Sequence, residues 1–350
     1  MTSSDLSSAA TVDLKALRAI KPALKAGTDC YNGSVLIDGW EDHLTLTTAN
    51  GDATIVATLP VTDTDGTLTG QRVSVRVNLA DIPTTGPSSR WTISAEGLEV
   101  ESNGITQHLA PAEPPYSGSF PTHYGPVPTT TTLASSTLAA VAVAASKDQA
   151  RPILTSMLFS RAGVVATDSY RLHYAPGVDF GDVLIPAALV AVVAKYGDTL
   201  GVGVSEAGDL ATLAAGPVVA TVRTIDGEFP DWAQLIPKVA GKVTNLCDGP
   251  GLAKAAAAAF KITKRPGDIR HTLPARLNGA LTVEVEGTEV FRAPLPTTGD
   301  DLAVAFNPRF LGEVVAATGA TEIHWVDALK PAVFAGPGPV RGLLMPVRVD

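Results

Sequence analysis

Asp168, Ser169 and His173 are the chain's nearest approach to a carboxylate, a nucleophile and a base. A Ser/His/Asp site is defined by spatial geometry, and three residues crowded into one short segment do not supply it. The six histidines, at 43, 108, 123, 173, 271 and 324, are scattered and none has metal-ligand spacing. The two cysteines, Cys30 and Cys247, stand in no motif, which excludes a disulfide framework or a Cys-rich metal site. There is no G-x-S-x-G elbow, P-loop, H-E-x-x-H, or G-x-G-x-x-G between a strand and a helix. No catalytic residue, metal or cofactor is expected, and the chemistry to look for is recognition.

Lys and Arg at helical spacing supply one kind of recognition. Lys15, Arg18, Lys21 and Lys25 share one broad face of a helix predicted over 13–25, with Leu17, Ile20 and Leu24 roughly opposite. Lys254, Lys261 and Lys264 repeat the pattern in the last third, on or just beyond the alanine run of 252–263. Lys147, Arg151, Lys195 and Arg309 would add to the same surface. One such stripe is usually a solvated face. Its recurrence in every third of the chain favours phosphate contacts, which are salt-sensitive and blind to base sequence. The net charge of −9 argues against a protein coated with nucleic acid, but not against cations gathered on one inner surface.

The elements carrying these residues are mostly strands. Alternating or continuous apolar runs between turn residues predict strands over 33–37, 44–48, 53–59, 73–77, 91–94 and 98–102. Short Ala- or Leu-rich helices are predicted over 13–25, 135–147, 186–196, 252–263 and 308–318, several after a Ser, Thr or Asn cap or with Pro in the first turn. At 350 residues the chain should hold two or three domains and bury a large core without staples. With 45% hydrophobic and 17% charged residues it is globular, and no apolar run approaches the length of a membrane span. The N-terminal MTSSDLSSAA lacks the basic flank and apolar segment of a secretory signal, so a reducing cytoplasmic setting is expected. Pro/Thr-rich stretches over 111–132 and after Pro237 divide the chain into thirds. Phe120–Pro121 recurs as Phe229–Pro230, a period of 109 residues. That period is too long for a solenoid repeat and suits three similar α+β domains in tandem.

Three segments carry more. Ala166-Thr-Asp-Ser-Tyr-Arg-Leu172 follows Arg151-Pro-Ile-Leu-Thr-Ser-Met-Leu-Phe159. Asp226-Gly-Glu-Phe-Pro-Asp-Trp232 runs on to Pro237, and Gly342-Leu-Leu-Met-Pro-Val-Arg-Val349 lies at the carboxyl end. Singly, each reads as a strand–turn–strand, a polar turn or an edge strand. In this order and spacing they resemble the bacterial sliding-clamp family, the beta subunit of DNA polymerase III, with its A-T-D-G-H-R-L, D-G-x-F-P-D-[YW] and L-M-P-[VM]-R-[LV] segments. Ala305-Phe-Asn-Pro-Arg-Phe-Leu311 looks like the family's G-F-N-P-x-Y-L helix start, and Asp327-Ala-Leu-Lys-Pro331 like its D-x-x-K-P turn. The resemblance is specific from about residue 128 onward.

The resemblance implies an α+β fold of three tandem DNA-clamp domains, over 1–127, 128–240 and 241–350. Each would pair antiparallel sheets with two helices, and head-to-tail dimerisation would form a ring. It implies a non-enzymatic processivity factor that encircles duplex DNA without regard to sequence. Polymerase and clamp-loader peptides would bind in a cleft whose walls are Leu154, Thr167, Leu172, Pro230, Leu344, Met345, Pro346 and Val347. Tyr170, Arg171 and Arg348 would stand at its rim. By position, Gln107 and Leu109 of one subunit would meet Phe260 and Ile262 of the other. No membrane partner is implied. The chain departs from the family at Ser169–Tyr170, where the pattern has Gly–His, and at Gln234, where a basic residue is common. In the first domain only 78–83 remain where the family has a second helix, with Pro83 and Gly86 stopping it. The alternative is a clamp-derived peptide-binding protein that no longer encircles DNA.

Overall fold

Helix α1 (Leu14–Ala26) shows how local chemistry sets an element. The Asp13 carboxylate caps it, accepting the Lys15 backbone N–H at 2.7 Å. Leu14, Leu17, Ile20, Ala23 and Leu24 form its buried face and pack on strands His43–Ala49 and Ala53–Thr62. The helix stops at Gly27, whose N–H donates to the Leu24 carbonyl at 3.0 Å, and the buried Thr48 hydroxyl donates to the same oxygen at 2.9 Å.

The computed structural model describes residues 7–27, 33–39, 42–62, 73–112, 126–179, 181–237, 241–263 and 273–348. Cys30, Phe120, Pro121 and Lys264, which figured in the expectations above, lie outside the described residues. The chain divides into two compact units, Met1–Ser135 with Leu189–Thr224, and Ser136–Ala188 with Ile225–Asp350. The strands pair antiparallel throughout the described residues, giving the expected α+β class.

In the first unit one sheet runs Ile105–Leu109, Gly97–Ser102, Ser88–Ser94, Ser7–Asp13, Ala53–Thr62, Val218–Arg223, Leu210–Ala215, Thr199–Val204 and Thr131–Ala134. His43–Ala49, Ser34–Gly39 and Val73–Asn78 branch from Ala53–Thr62. Every strand predicted in this region is present. In Val73–Asn78, for instance, residues 73, 75 and 77 are buried, as the alternation requires. Residues 79–83 form a turn and bend with no helix. Leu79 and Ile82 anchor this loop in the core, while Arg18 donates to the carbonyls of Thr84 (2.5 Å) and Gly86 (3.0 Å).

In the second unit a nine-stranded sheet runs Val183–Pro186, Ser156–Phe159, Val164–Thr167, Arg171–Ala175, Arg341–Leu344, Ala332–Ala335, Glu322–Trp325, Lys242–Leu246 and Thr297–Gly299. A four-stranded sheet runs Thr288–Pro294, Ala280–Val285, Ala275–Leu277 and Val304–Phe306. Helix α2 (Ser135–Ala142) ends earlier than the predicted 135–147, and the short α3 (Pro152–Thr155) follows. Helices α5 (Gly249–Thr263) and α6 (Pro308–Thr318) fall close to prediction, as does α4 (Ala187–Val193), most of which belongs to the first unit. Asn307 caps α6 by accepting the Arg309 N–H at 3.0 Å, and Gly319 closes it at φ 60°, where a side chain would be strained. Helix α6 packs on Arg341–Leu344 so closely that a Cβ on Gly342 would lie 2.1 Å from Val314 Cγ2. Only glycine fits there.

Candidate partner-binding cleft

Arg171 sits at the start of strand Arg171–Ala175 with its side chain 3% exposed. A buried guanidinium is tolerated only when paired and hydrogen-bonded on all sides. Here Nε donates to Asp168 Oδ2 at 3.1 Å, Nη1 to Glu313 Oε2, and Nη2 to the Val143 carbonyl at 2.7 Å. Its guanidinium carbon also lies 4.6 Å from the centre of the Phe310 ring. Burial pushes the Glu313 carboxyl up, but the charges of Arg171 and Arg309 more than offset this and hold it below the ordinary glutamate value. Arg309 Nε reaches the other carboxylate oxygen of Glu313 at 2.9 Å.

The Asp168–Ser169–Tyr170 turn is built around the same carboxylate. Asp168 Oδ1 accepts the backbone N–H groups of Tyr170 and Arg171, each at 3.0 Å, and Ser169 takes φ 78°. This turn lifts Tyr170 to 44% exposure and stacks its ring on Phe310, with centroids 6.0 Å apart at 22°. The Tyr170 carbonyl accepts the Met345 N–H at 2.9 Å, and the Val347 N–H donates to the Ala305 carbonyl at 2.7 Å. Those two bonds hold the segment after strand Arg341–Leu344 beside the turn.

A cleft of about 760 Å³ results, wholly within the second unit. Tyr170, Phe310, Met345, Pro346 and Val347 form its apolar side, while Lys147, Arg151 and Arg309 supply cations. Of the expected cleft residues, Tyr170, Arg171, Met345, Pro346 and Val347 line it. Thr167, Leu172 and Leu344 are buried in the core, and Leu154 is half-buried with its carbonyl accepting the Ser146 N–H. Pro230 is exposed and is not part of this lining, and Arg348 faces a second groove with Arg276, Leu329 and Val347. Phe310 and Asn307 were not singled out as cleft residues. Their signal was present, since both belong to the Ala305–Leu311 segment already noted.

Asp168, Ser169 and His173 form no nucleophilic site. Asp168 serves Arg171, and the wholly buried His173 donates from Nδ1 to the Ala140 carbonyl at 2.8 Å. Burial leads in holding the His173 imidazole at a pKa of about 4, so it stays neutral. Among the described residues no group of three or more His, Cys, Asp or Glu is placed to hold a metal ion. No helix among them is long and apolar enough to cross a membrane.

The remaining predicted cations lie in both units. In the first unit Lys15, Arg18, Lys25 and Lys195 are exposed. Lys21 is half-buried, with Nζ 3.4 Å from the Ile82 carbonyl. Burial and the neighbouring Lys25 charge pull its pKa down, against a smaller opposing effect of Asp81. In the second unit Lys254 and Lys261 are exposed on α5. Gln107 and Leu109 lie on Ile105–Leu109, the terminal strand of its sheet, whose side chains are mostly exposed. On α5, Ile262 is 56% exposed and Phe260 half-buried.

No family model matches the chain. The beta sliding clamp of Streptomyces coelicolor is 26% identical over 308 residues, spanning 78% of this chain and 80% of that protein. The beta sliding clamp homolog GriR of Streptomyces muensis is 28% identical over 238 residues, 59% of this chain and 62% of the relative. The crystal structure of the DNA polymerase III beta subunit from Thermotoga maritima matches with a TM-score of 0.74 at 16% identity, covering 98% of this chain and all of that one. A sliding clamp from Bartonella birtlesii, bound to griselimycin, matches equally well at 19% identity and the same coverage. The fold is therefore that of the sliding clamps. The chain is a divergent relative of the bacterial beta sliding clamps.

Proposed function

We propose that the chain is a DNA sliding clamp, a non-catalytic processivity factor that encircles duplex DNA and tethers a polymerase to it. Each subunit would contribute three clamp domains, over 1–127, 128–240 and 241–350. Two subunits would close head to tail, and the ring would work in the cytoplasm. The cleft beside Tyr170, Phe310 and Met345 carries the reading. It combines exposed apolar side chains with a fixed wall, in a chain whose fold and sequence are clamp-like. Polymerase and clamp-loader peptides are its proposed occupants. Met345 and the neighbouring Pro346 suit a groove that accepts more than one sequence.

Ring closure is supported by two features. Ile105–Leu109 and Thr288–Pro294 each end a sheet, with most side chains exposed, so either can accept a strand from another subunit. Gln107, Leu109, Phe260 and Ile262 are the proposed contacts. Lys15, Arg18, Lys21, Lys25, Lys195, Lys254 and Lys261 are proposed to face the duplex. Light scattering across dilution tests the ring, with a species near twice 36.0 kDa expected. Retention on circular DNA, abolished when the circle is cut, tests encirclement. A monomer that binds peptides but is never trapped on a circle would replace this reading with the non-encircling one.

A further inference from the structure

We infer that Tyr196 is a positioning residue for phosphate binding, its hydroxyl fixing the last turn of α1 and with it the exposed Lys25. This rests on the duplex-facing reading of these cations and names the group that orients one of them. The need for such a group lies in α1 itself. Pro22 stands inside the helix with no N–H to donate, and its ring crowds the Arg18 carbonyl, so the backbone ladder is interrupted one turn before the end. Its buried neighbour Ala23 donates its N–H to the Tyr196 hydroxyl at 3.1 Å, across 173 positions of sequence. Lys25 lies in the turn that follows. The Thr48 hydroxyl holds the far end of that turn at the Leu24 carbonyl, and Tyr196 holds its start.

Tyr196 is itself firmly mounted, in the same unit as α1. Its N–H donates to the Val193 carbonyl at 3.0 Å and the Lys195 N–H to that of Val192 at 3.3 Å, closing the end of α4. Gly216, at φ 52°, comes so near that a Cβ there would lie 2.1 Å from the Tyr196 carbonyl oxygen. The ring is half-buried. Burial pushes the phenol pKa up against the smaller opposing pull of the Ala23 N–H, so the hydroxyl stays neutral and available as an acceptor. Lys195, the exposed neighbour of Tyr196, adds a cation on the same mount. On α1, Lys21 and Lys25 stand four residues apart, on one face. Burial leads in pulling the Lys21 pKa down and the Lys25 charge adds to it, so the two ammonium groups feel each other. An anion held between like charges relieves their repulsion, but only where the backbone keeps both in place. Thus a neutral phenol from one segment sets the geometry of cations on another.

Binding of the full chain to a short linear duplex, followed by fluorescence anisotropy over a series of salt concentrations, tests this. Tyr196→Phe removes the hydroxyl and nothing else. It should weaken binding about fivefold at low salt and shrink the slope of log affinity against log salt by up to about 0.9, the share of one phosphate. Lys25→Gln should do the same, and the double variant should bind no worse than either single one, since both changes remove one contact. Pro22→Ala restores the missing donor to the helix and should rescue Tyr196→Phe. Losses that add, or a Pro22→Ala background that rescues nothing, overturn the inference. A lowered melting temperature with an unchanged salt slope makes Tyr196 a structural prop and overturns it too. If the wild-type chain shows no salt-dependent affinity for the duplex, the duplex-facing reading falls and takes this inference with it.

Discussion

Arg171 Nη2 lies 2.7 Å from the carbonyl oxygen of Val143, just past the end of helix α2. Two residues along the same strand, His173 Nδ1 meets the Ala140 carbonyl at 2.8 Å. Helix ends leave carbonyls without partners, and here strand side chains reach up to satisfy them. The strand that contributes Arg171 to the cleft thus also meets the end of the helix. A change at Arg171 is felt at both, which makes the charge cluster around it the first place to probe.

Glu313→Gln leaves the buried Arg171 with one carboxylate in place of two. Removing one partner of a buried pair is strongly destabilising, and with Asp168 retained a loss of about 3 kcal/mol is expected. Urea unfolding measures it. A change within experimental error would mean that Asp168 and the Val143 carbonyl suffice.

His173 predicts a pH dependence. Its folded pKa of about 4 lies below the unfolded value near 6.5, so between those limits the unfolded chain binds a proton that the folded one refuses. This contribution to stability is complete above about pH 6.5 and is lost as pH falls toward 4, by up to about 3 kcal/mol. The nearby Arg171 charge acts with burial, and Glu313 against it. His173→Gln should flatten the slope of unfolding free energy between pH 6.5 and 4.5. An unchanged slope would assign it to other groups.

Ser169 holds φ 78°, a region where a non-glycine residue is strained by about 1–2 kcal/mol. Ser169→Gly relieves that strain, loses the Arg151–Ser169 hydrogen bond, and frees the unfolded chain. The balance should favour the variant by about 0.5 kcal/mol. A fall in melting temperature would show that the Ser169 hydroxyl outweighs the strain.

Truncation before Met345 deletes three cleft-lining residues and the bonds to the Tyr170 and Ala305 carbonyls. Polymerase stimulation should be abolished while the solution mass of the assembly stays unchanged. Stimulation that survives would move the peptide site elsewhere.

Lys15→Ala with Lys254→Ala removes exposed cations that bond to nothing among the described residues, unlike Arg18, which holds the loop at Thr84 and Gly86. Affinity for duplex DNA should fall, and the slope of log affinity against log salt should shrink by about 0.9 for each phosphate no longer neutralised. A weakening independent of salt would count against a channel role.

What was legible in the sequence follows from range. Alternation within Val73–Asn78 and the apolar face of α1 are local patterns, and both elements stand where the pattern put them. Strand Ser7–Asp13, made largely of Ser, Ala and Thr, has no such alternation and owes its conformation to its neighbours Ser88–Ser94 and Ala53–Thr62. The carbonyls at the end of α2 are met by Arg171 and His173, about 30 residues away, and the Arg171–Glu313 pair spans 142 positions. No spacing rule reaches that far. Among the cleft residues, the carboxyl-terminal Met345–Val347 could be read from the motif. Charge counting could not tell that Lys147, Arg151 and Arg309 gather beside Tyr170 and Phe310.

The outermost strand Ile105–Leu109 bears on how the protein behaves in a tube. One of its flanks offers N–H and C=O groups that no neighbour takes among the described residues, and Ile105 is 66% exposed on it. Such a flank is adhesive toward any extended backbone. Thr106, Gln107 and His108 temper it with polarity, His108 Nδ1 lying 3.3 Å from Glu99. A preparation whose edge is left uncovered should turn cloudy on concentration, so solubility itself becomes a readout of whether that strand has found its match.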